Sequence, residues 1–148
     1  MSGILLEVEN VQKRYGRKQV LRGVSFSVGA GEVAGIVGEN GAGKSTLLQI
    51  IVGLLPSDGG QVMVQGGIGY CPQDPVTFDL LTVHENLAYF GTAYGLTDSH
   101  LARHATTLLE QLDCARYAEH RVAELSGGTR QKLNLIIALL HDPDVLLL

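Results

Sequence analysis

The sequence predicts an α/β fold: a mostly parallel central sheet flanked by helices, with an antiparallel β subdomain at the N-terminus and a helical portion in the second half. Three observations predict it. Apolar and polar residues alternate in "LLEVENV" and "GVSFSV", as they do in half-exposed antiparallel strands. A short apolar run, "EVAGIVG" at 32–38, ends in glycine and leads straight into a helical pattern, which suits a strand buried on both faces of a sheet. Beyond residue 80 the apolar spacing turns helical and closes on a further apolar run, "VLLL".

The elements follow in order. In "GVSFSV", Val24, Phe26 and Val28 face one way and Ser25 and Ser27 the other. After the buried strand at 32–38, "GKSTLLQIIVGLL" reads as a helix, which Pro56, Asp58, Gly59 and Gly60 are expected to end. Two short strands, "QVMV" and "IGYC", then flank Gln65, Gly66 and Gly67. "TVHENLAYFGTAYG" reads as a helix interrupted by glycine. Thr97 or Asp98 can cap the next helix, which places Leu101, Ala105, Leu108, Leu109 and Leu112 on one face. A last helix from about Thr129 to Leu140 has Leu133, Ile136, Ile137 and Leu140 at i, i+3, i+4, i+7. Pro143 stops it, and "VLLL" reads as a second buried strand.

A chain of 148 residues with 45% apolar content is the size of one ordinary domain and can bury a real core. The formal charge of −4 argues against a surface built to neutralise a phosphate backbone, so no nucleic-acid partner is expected. The densest basic cluster, "KRYGRK" at 13–18, reads as a solvated turn. Cys71 and Cys114 lie far apart in a chain with no secretory signal, so both read as buried fillers in a reducing compartment. The apolar runs are shorter than the roughly 18 residues of a membrane span, so any membrane role is expected to come through a partner. His84, His100, His104, His120 and His141 show no spacing for a metal site and read as surface residues.

"GENGAGKST" at 38–46 carries chemistry. Gly38-Glu39-Asn40-Gly41-Ala42-Gly43-Lys44-Ser45 fits the phosphate-loop pattern of glycine, four residues, glycine, lysine, and serine or threonine, between a predicted strand and a predicted helix. Glycines let backbone N–H groups turn inward around a phosphate, and the helix adds its positive end. Lys44 would reach the β and γ phosphates of ATP. Ser45 would offer its hydroxyl to Mg2+, and Thr46 would support the loop. The fold class is thereby narrowed to that of the P-loop NTPases.

"LSGGTRQKL" at 125–133 resembles the signature sequence of ATP-binding cassette (ABC) proteins, and the interval from Ser45 to Ser126 suits that family. On its own residues, Ser126 is placed as an N-cap, and Gly127 and Gly128 expose backbone N–H groups at a helix start, a second anion site. The resemblance covers essentially the whole chain. It implies a nucleotide-binding domain over 1–148, with a helical subdomain of about 75–130 that carries the signature, working as the ATP-binding subunit of a transporter. It also implies head-to-tail pairing with a second nucleotide-binding domain, so that one copy's signature closes over the γ phosphate held by the other. Two further roles come from it alone: Tyr15 as the aromatic on which adenine stacks, and Gln73 in "GYCPQD" as the residue contacting Mg2+ and the attacking water.

In the family, the strand that "DVLLL" resembles is followed by an aspartate that supports Mg2+ and a glutamate that polarises the water, whereas here Leu148 is the last residue. The resemblance therefore implies a domain incomplete at its C-terminus, which binds ATP, hydrolyses it poorly or not at all by itself, and aggregates readily. Asp142 and Asp144 precede the strand and so lie at the wrong end of the sheet for a general base. "LTVHENLAYFGTAYGL" is similar to cassettes that power export through transmembrane permease subunits, which implies a cytoplasmic protein peripheral to the inner face of the membrane. The alternatives are a soluble cassette ATPase acting on the ribosome or nucleic acid, and a module that binds without hydrolysis.

Overall fold

In the structure, a computed structural model that describes residues 3–148, the N-terminal alternation becomes a long hairpin. Strand β1 (Ile4–Tyr15) pairs antiparallel with β2 (Lys18–Gly29) across the two-residue turn Gly16-Arg17, where Gly16 has φ 59°. Strand β3 (Gly59–Val64) pairs antiparallel with the other edge of β1, giving the order β2-β1-β3. Leu6, Val8, Val11 and Leu21 are buried.

Alternation along β1 changes phase at Asn10, whose φ of 47° accompanies a register break between Val8 and Val11. A bulge adds one residue, so the buried side passes from Leu6 and Val8 to Val11 and Lys13. Lys13 is therefore not part of a solvated turn, as the basic cluster suggested. It is 7% exposed, and its ammonium donates to the Pro56 carbonyl at 2.7 Å and to Asp58 Oδ1 at 3.1 Å. Asp58 Oδ2 also accepts from the Arg14 N–H at 2.7 Å. That backbone donor first, and the Lys13 ammonium second, hold the Asp58 carboxyl below the usual carboxylate range.

The run at 32–38 differs from expectation. It forms no strand, and every residue from Gly31 to Asn40 is exposed, Val33 and Val37 almost completely. An apolar run has the composition of a buried strand, but a strand exists only where a partner strand takes up its N–H and C=O groups. Helix α1 (Lys44–Ile51) follows. It ends sooner than the sequence suggested, at Gly53 (φ 78°) rather than at Pro56. The N–H of Gly53 bonds the Ile50 carbonyl at 3.1 Å and that of Leu54 the Gln49 carbonyl at 2.9 Å, the paired closure of a glycine-terminated helix.

These elements belong to one compact unit, which runs to Ile68, and Gly69–Leu148 form a second. Strand β4 (Ile68–Tyr70) does not form a hairpin with β3 but pairs with β5 (Val145–Leu147) in a small two-stranded parallel sheet. β5 is half-exposed rather than buried, because among the described residues only β4 pairs with it.

The second unit is built on helices α2 (Val83–Ala93), α3 (Asp98–Gln111) and α4 (Gly127–Leu139). Thr82 and Glu85 form a reciprocal capping box at the start of α2, and the Thr97 and Ser126 side chains cap α3 and α4. Gly91, which weakened the sequence case for α2, has a packing reason. A Cβ there would lie 2.5 Å from Leu101 Cδ1, so glycine lets α2 and α3 approach closely. Val83, Leu87, Leu108, Val122, Leu133 and Ile136 anchor the core, and burying each contributes about 1.5–3 kcal/mol. Asn86, fully buried, receives the Phe78 N–H at 2.8 Å and donates to the Phe78 and Thr82 carbonyls at 3.1 and 2.9 Å.

Both cysteines are buried and free, and burial pushes each thiol up from its ordinary pKa. His84 and His120 are exposed as expected, but His100, His104 and His141 are half-buried. His104 Nδ1 lies 3.0 Å from the Leu140 carbonyl, and the His141 ring stacks on Tyr94 at 4.2 Å, so these rings pack at the end of α4.

Candidate nucleotide site

The first unit holds the phosphate-loop residues and Tyr15. Gly41 and Gly43 have φ values of 83° and 100°, a backbone that L side chains rarely adopt. Gly43 has a second constraint: a Cβ would meet Val20 Cγ1 at 2.7 Å and Leu21 Cδ2 at 2.9 Å. It occupies the N-cap of α1 with no side-chain cap, so the first N–H groups of the helix are not closed off by a neighbouring hydroxyl or carboxylate. Lys44 folds back over the loop, its ammonium donating to the carbonyls of Gly38 and, at 2.9 Å, Glu39. The Ala42 N–H bonds the Glu39 carbonyl at 3.0 Å. Asn40 and Ser45 are exposed, and Thr46 is half-buried on the first turn.

A tight turn with left-handed glycines, an open helix N-terminus and a lysine at its mouth offers backbone donors and one cation to an anion the size of a phosphate. The exposed Ser45 hydroxyl beside it suits a hard cation such as Mg2+. Tyr15, at the end of β1, is 50% exposed and leaves ring surface for stacking, while the Lys13 ammonium sits 5.9 Å from its centroid.

Gln73 and the signature residues belong to the second unit. Gln73 is exposed in a loop just beyond β4. Ser126 caps α4 through its Oγ, which accepts from the Thr129 N–H at 3.2 Å and lies 2.9 Å from Thr129 Oγ1. Gly127 and Gly128 are exposed, and a Cβ on either would meet nothing within 4 Å. No group of three or more His, Cys, Asp or Glu that could hold a metal ion occurs among the described residues. No helix among them is long and apolar enough to cross a membrane.

Three buried polar residues escaped the sequence reading. Lys13 looked like a loop charge until the bulge at Asn10 turned it inward. Asn86 and Asn134 sit on helices, and no motif gave either a role. Their polar type at apolar-face positions was the only available signal, since a buried amide needs partners.

Comparison with solved structures defines the fold first. A structure of an ATP-binding subunit of an ABC transporter superposes with a TM-score of 0.86 at 32% identity, over 94% of this chain and 63% of that one. An ADP-conformation structure of an ATP-binding cassette gives 0.84 at 29% identity over 98% of this chain and 68% of its own. The chain has the P-loop NTPase fold of ABC ATPase domains. Residues 21–148 match the family described as ABC transporter, and the chain belongs to that family.

Among its relatives, the linearmycin resistance ATP-binding protein of Bacillus subtilis is 37% identical over 97% of this chain and 50% of its own length. A Nod factor export ATP-binding protein of Burkholderia lata is 40% identical over 97% and 51%. The chain thus spans about half the length of these relatives.

Proposed function

We propose that this chain binds MgATP on the loop 38–46 and serves as the ATP-binding part of an export-type ABC transporter. The observation that carries the reading is the start of α1: Gly43 in a left-handed conformation, no side-chain cap, and Lys44 at the mouth of the loop. Backbone N–H groups of Gly41 to Ser45 would cradle the β phosphate, and Lys44 would turn from the loop carbonyls to the β and γ oxygens. The exposed Tyr15 ring would stack on adenine, a contact worth about 1–3 kcal/mol by analogy with base stacking. When bound, Mg2+ would supply positive charge beside the terminal phosphates. Ser45 would hold it from the loop, and Gln73 would orient the attacking water.

Hydrolysis is assigned to the complete paired domain. The supporting feature is that Gly127 and Gly128 stand open at the helix start, where a phosphate held by a second copy can approach. Exposed apolar residues near Gln73 and on α2 support a docking face for permease subunits: Val76 (64% exposed), Leu80 (80%) and Tyr89 (53%), with Phe78 edge-on to Tyr89 at 4.7 Å. Docking there would place the protein on the cytoplasmic face of the membrane. The names of the linearmycin resistance and Nod factor export relatives support export over import. The formal charge of −4 speaks against the alternative of a cassette acting on nucleic acid.

The test is pairing of the complete protein in MgATP, followed by light scattering. Wild type is expected to dimerise on nucleotide addition. Ser126→Arg should bind nucleotide with unchanged affinity and stay monomeric; dimerisation of that variant would remove the signature from the pairing surface.

A further inference from the structure

One face of α4 runs along the segment that leads from β4 past Gln73. Ala138, Asn134 and Arg130 follow one another at four-residue spacing, so they share that face. Each meets the segment in turn. At Gly69 the approach is so close that a Cβ would lie 2.3 Å from the Ala138 carbonyl. Asn134 Nδ2 then donates to the Pro72 carbonyl at 2.7 Å and lies 3.3 Å from Cys71 Sγ. Further on, Arg130 Nη1 reaches Asp79 Oδ1 at 3.3 Å.

Of the two polar contacts, the one at Asn134 is buried: the residue is 3% exposed, whereas the side chains of the Arg130–Asp79 pair are 31% and 55% exposed. A proline carbonyl can only accept, so the amide must present its nitrogen to Pro72, and the hydrogen bond has one orientation. The Cys71 N–H is meanwhile held by the Leu147 carbonyl of β5 at 2.9 Å. Cys71 and Pro72 are therefore pinned on two sides immediately before Gln73, which is itself exposed.

We propose that Asn134 is a positioning residue for Gln73. It fixes the backbone from which the glutamine projects and ties it to α4, the helix capped by Ser126, so that Gln73 and the signature move as one body. This rests on the role given to Gln73 above. Orientation of a water-positioning group affects the rate of the chemical step more than nucleotide affinity, because small displacements at the reacting centre cost large factors in rate.

The experiment uses the complete protein with its permease. Asn134→Ala, Asn134→Leu, Gln73→Ala and the double variant Asn134→Ala/Gln73→Ala are compared for kcat and KM of ATP hydrolysis, and for amide hydrogen exchange over residues 70–79. The leucine variant fills the space and removes only the hydrogen bond, which separates lost positioning from a cavity. Both single Asn134 variants are expected to lower kcat about tenfold, keep KM within about twofold, and speed exchange in the segment. The double variant should be no slower than Gln73→Ala alone. An unchanged kcat in both Asn134 variants beside a slow Gln73→Ala, or losses that multiply in the double variant, would overturn the assignment. A Gln73→Ala protein at the wild-type rate would overturn the role of Gln73 itself, and the positioning role with it.

Discussion

α1 and α4 both have glycine at their starts, Gly43 as the N-cap of α1 and Gly127 as the first residue of α4, but for opposite reasons. Gly43 is required by the chain's own backbone and packing: its φ is 100°, and a methyl group would collide with Val20 and Leu21. Gly127 and Gly128 answer no such demand, since neither has positive φ and nothing lies within 4 Å of where a Cβ would be. The helix starts differ in the same sense. That of α1 has no side-chain cap, whereas that of α4 is satisfied by its own Ser126. A helix end left open at a glycine that the backbone itself requires leaves donors for a ligand within its own unit. Glycines that the chain does not need for itself point to something approaching from outside.

Substitutions can break or sharpen this contrast. Gly43→Ala should have the largest effect, abolishing MgATP binding in calorimetry and costing about 1–3 kcal/mol of stability in denaturant melts, as expected for an alanine forced into left-handed backbone. Ser126→Ala should cost about 1 kcal/mol through loss of the cap and leave MgATP affinity of the single chain unchanged; a drop in affinity would make α4 part of the same nucleotide contact as the loop. Gly128→Ala should leave stability unchanged or raise it by up to about 1 kcal/mol, yet block nucleotide-driven pairing of the complete protein. If it lowered stability instead, the glycine would have an internal role and the contrast would fail.

The smallest effect is expected at Asp58. Its folded carboxyl titrates below the unfolded one, so the Asp58 contribution to stability is complete above the ordinary carboxylate pKa of about 3.9 and disappears as the pH falls through the lower folded value. Asp58→Asn should therefore melt lower than wild type at neutral pH, and the gap should narrow in melts taken below about pH 4. A gap that stayed constant with pH would mean that the carboxylate charge does not carry the contact with Lys13 and the Arg14 N–H.

How far the sequence could be read follows from what kind of signal each part gives. The loop at 38–46, the caps at Thr97 and Ser126 and the amphipathic α3 rest on local patterns, and all were legible. The strand read at 32–38 was not realised, because pairing is a property of two segments and composition reports on one. The burial of Lys13 depends on a bulge three residues upstream, which reverses the phase of the strand without leaving a mark in hydropathy. Gly91 counted against α2 in the sequence, and in the structure it is what admits Leu101. The burial of Asn134 is accounted for only when the carbonyl it donates to, that of Pro72, is seen beside it.

The central claim is that the open start of α1 binds the phosphates of MgATP through Lys44. The direct measurement is calorimetric titration of MgATP into the purified chain and its Lys44→Ala variant at equal concentration, with thermal melts to show that both are folded. Saturable binding by wild type, weakened at least about 100-fold in the variant by loss of charge-assisted hydrogen bonds, is the predicted result. Equal affinity in two folded proteins would contradict it.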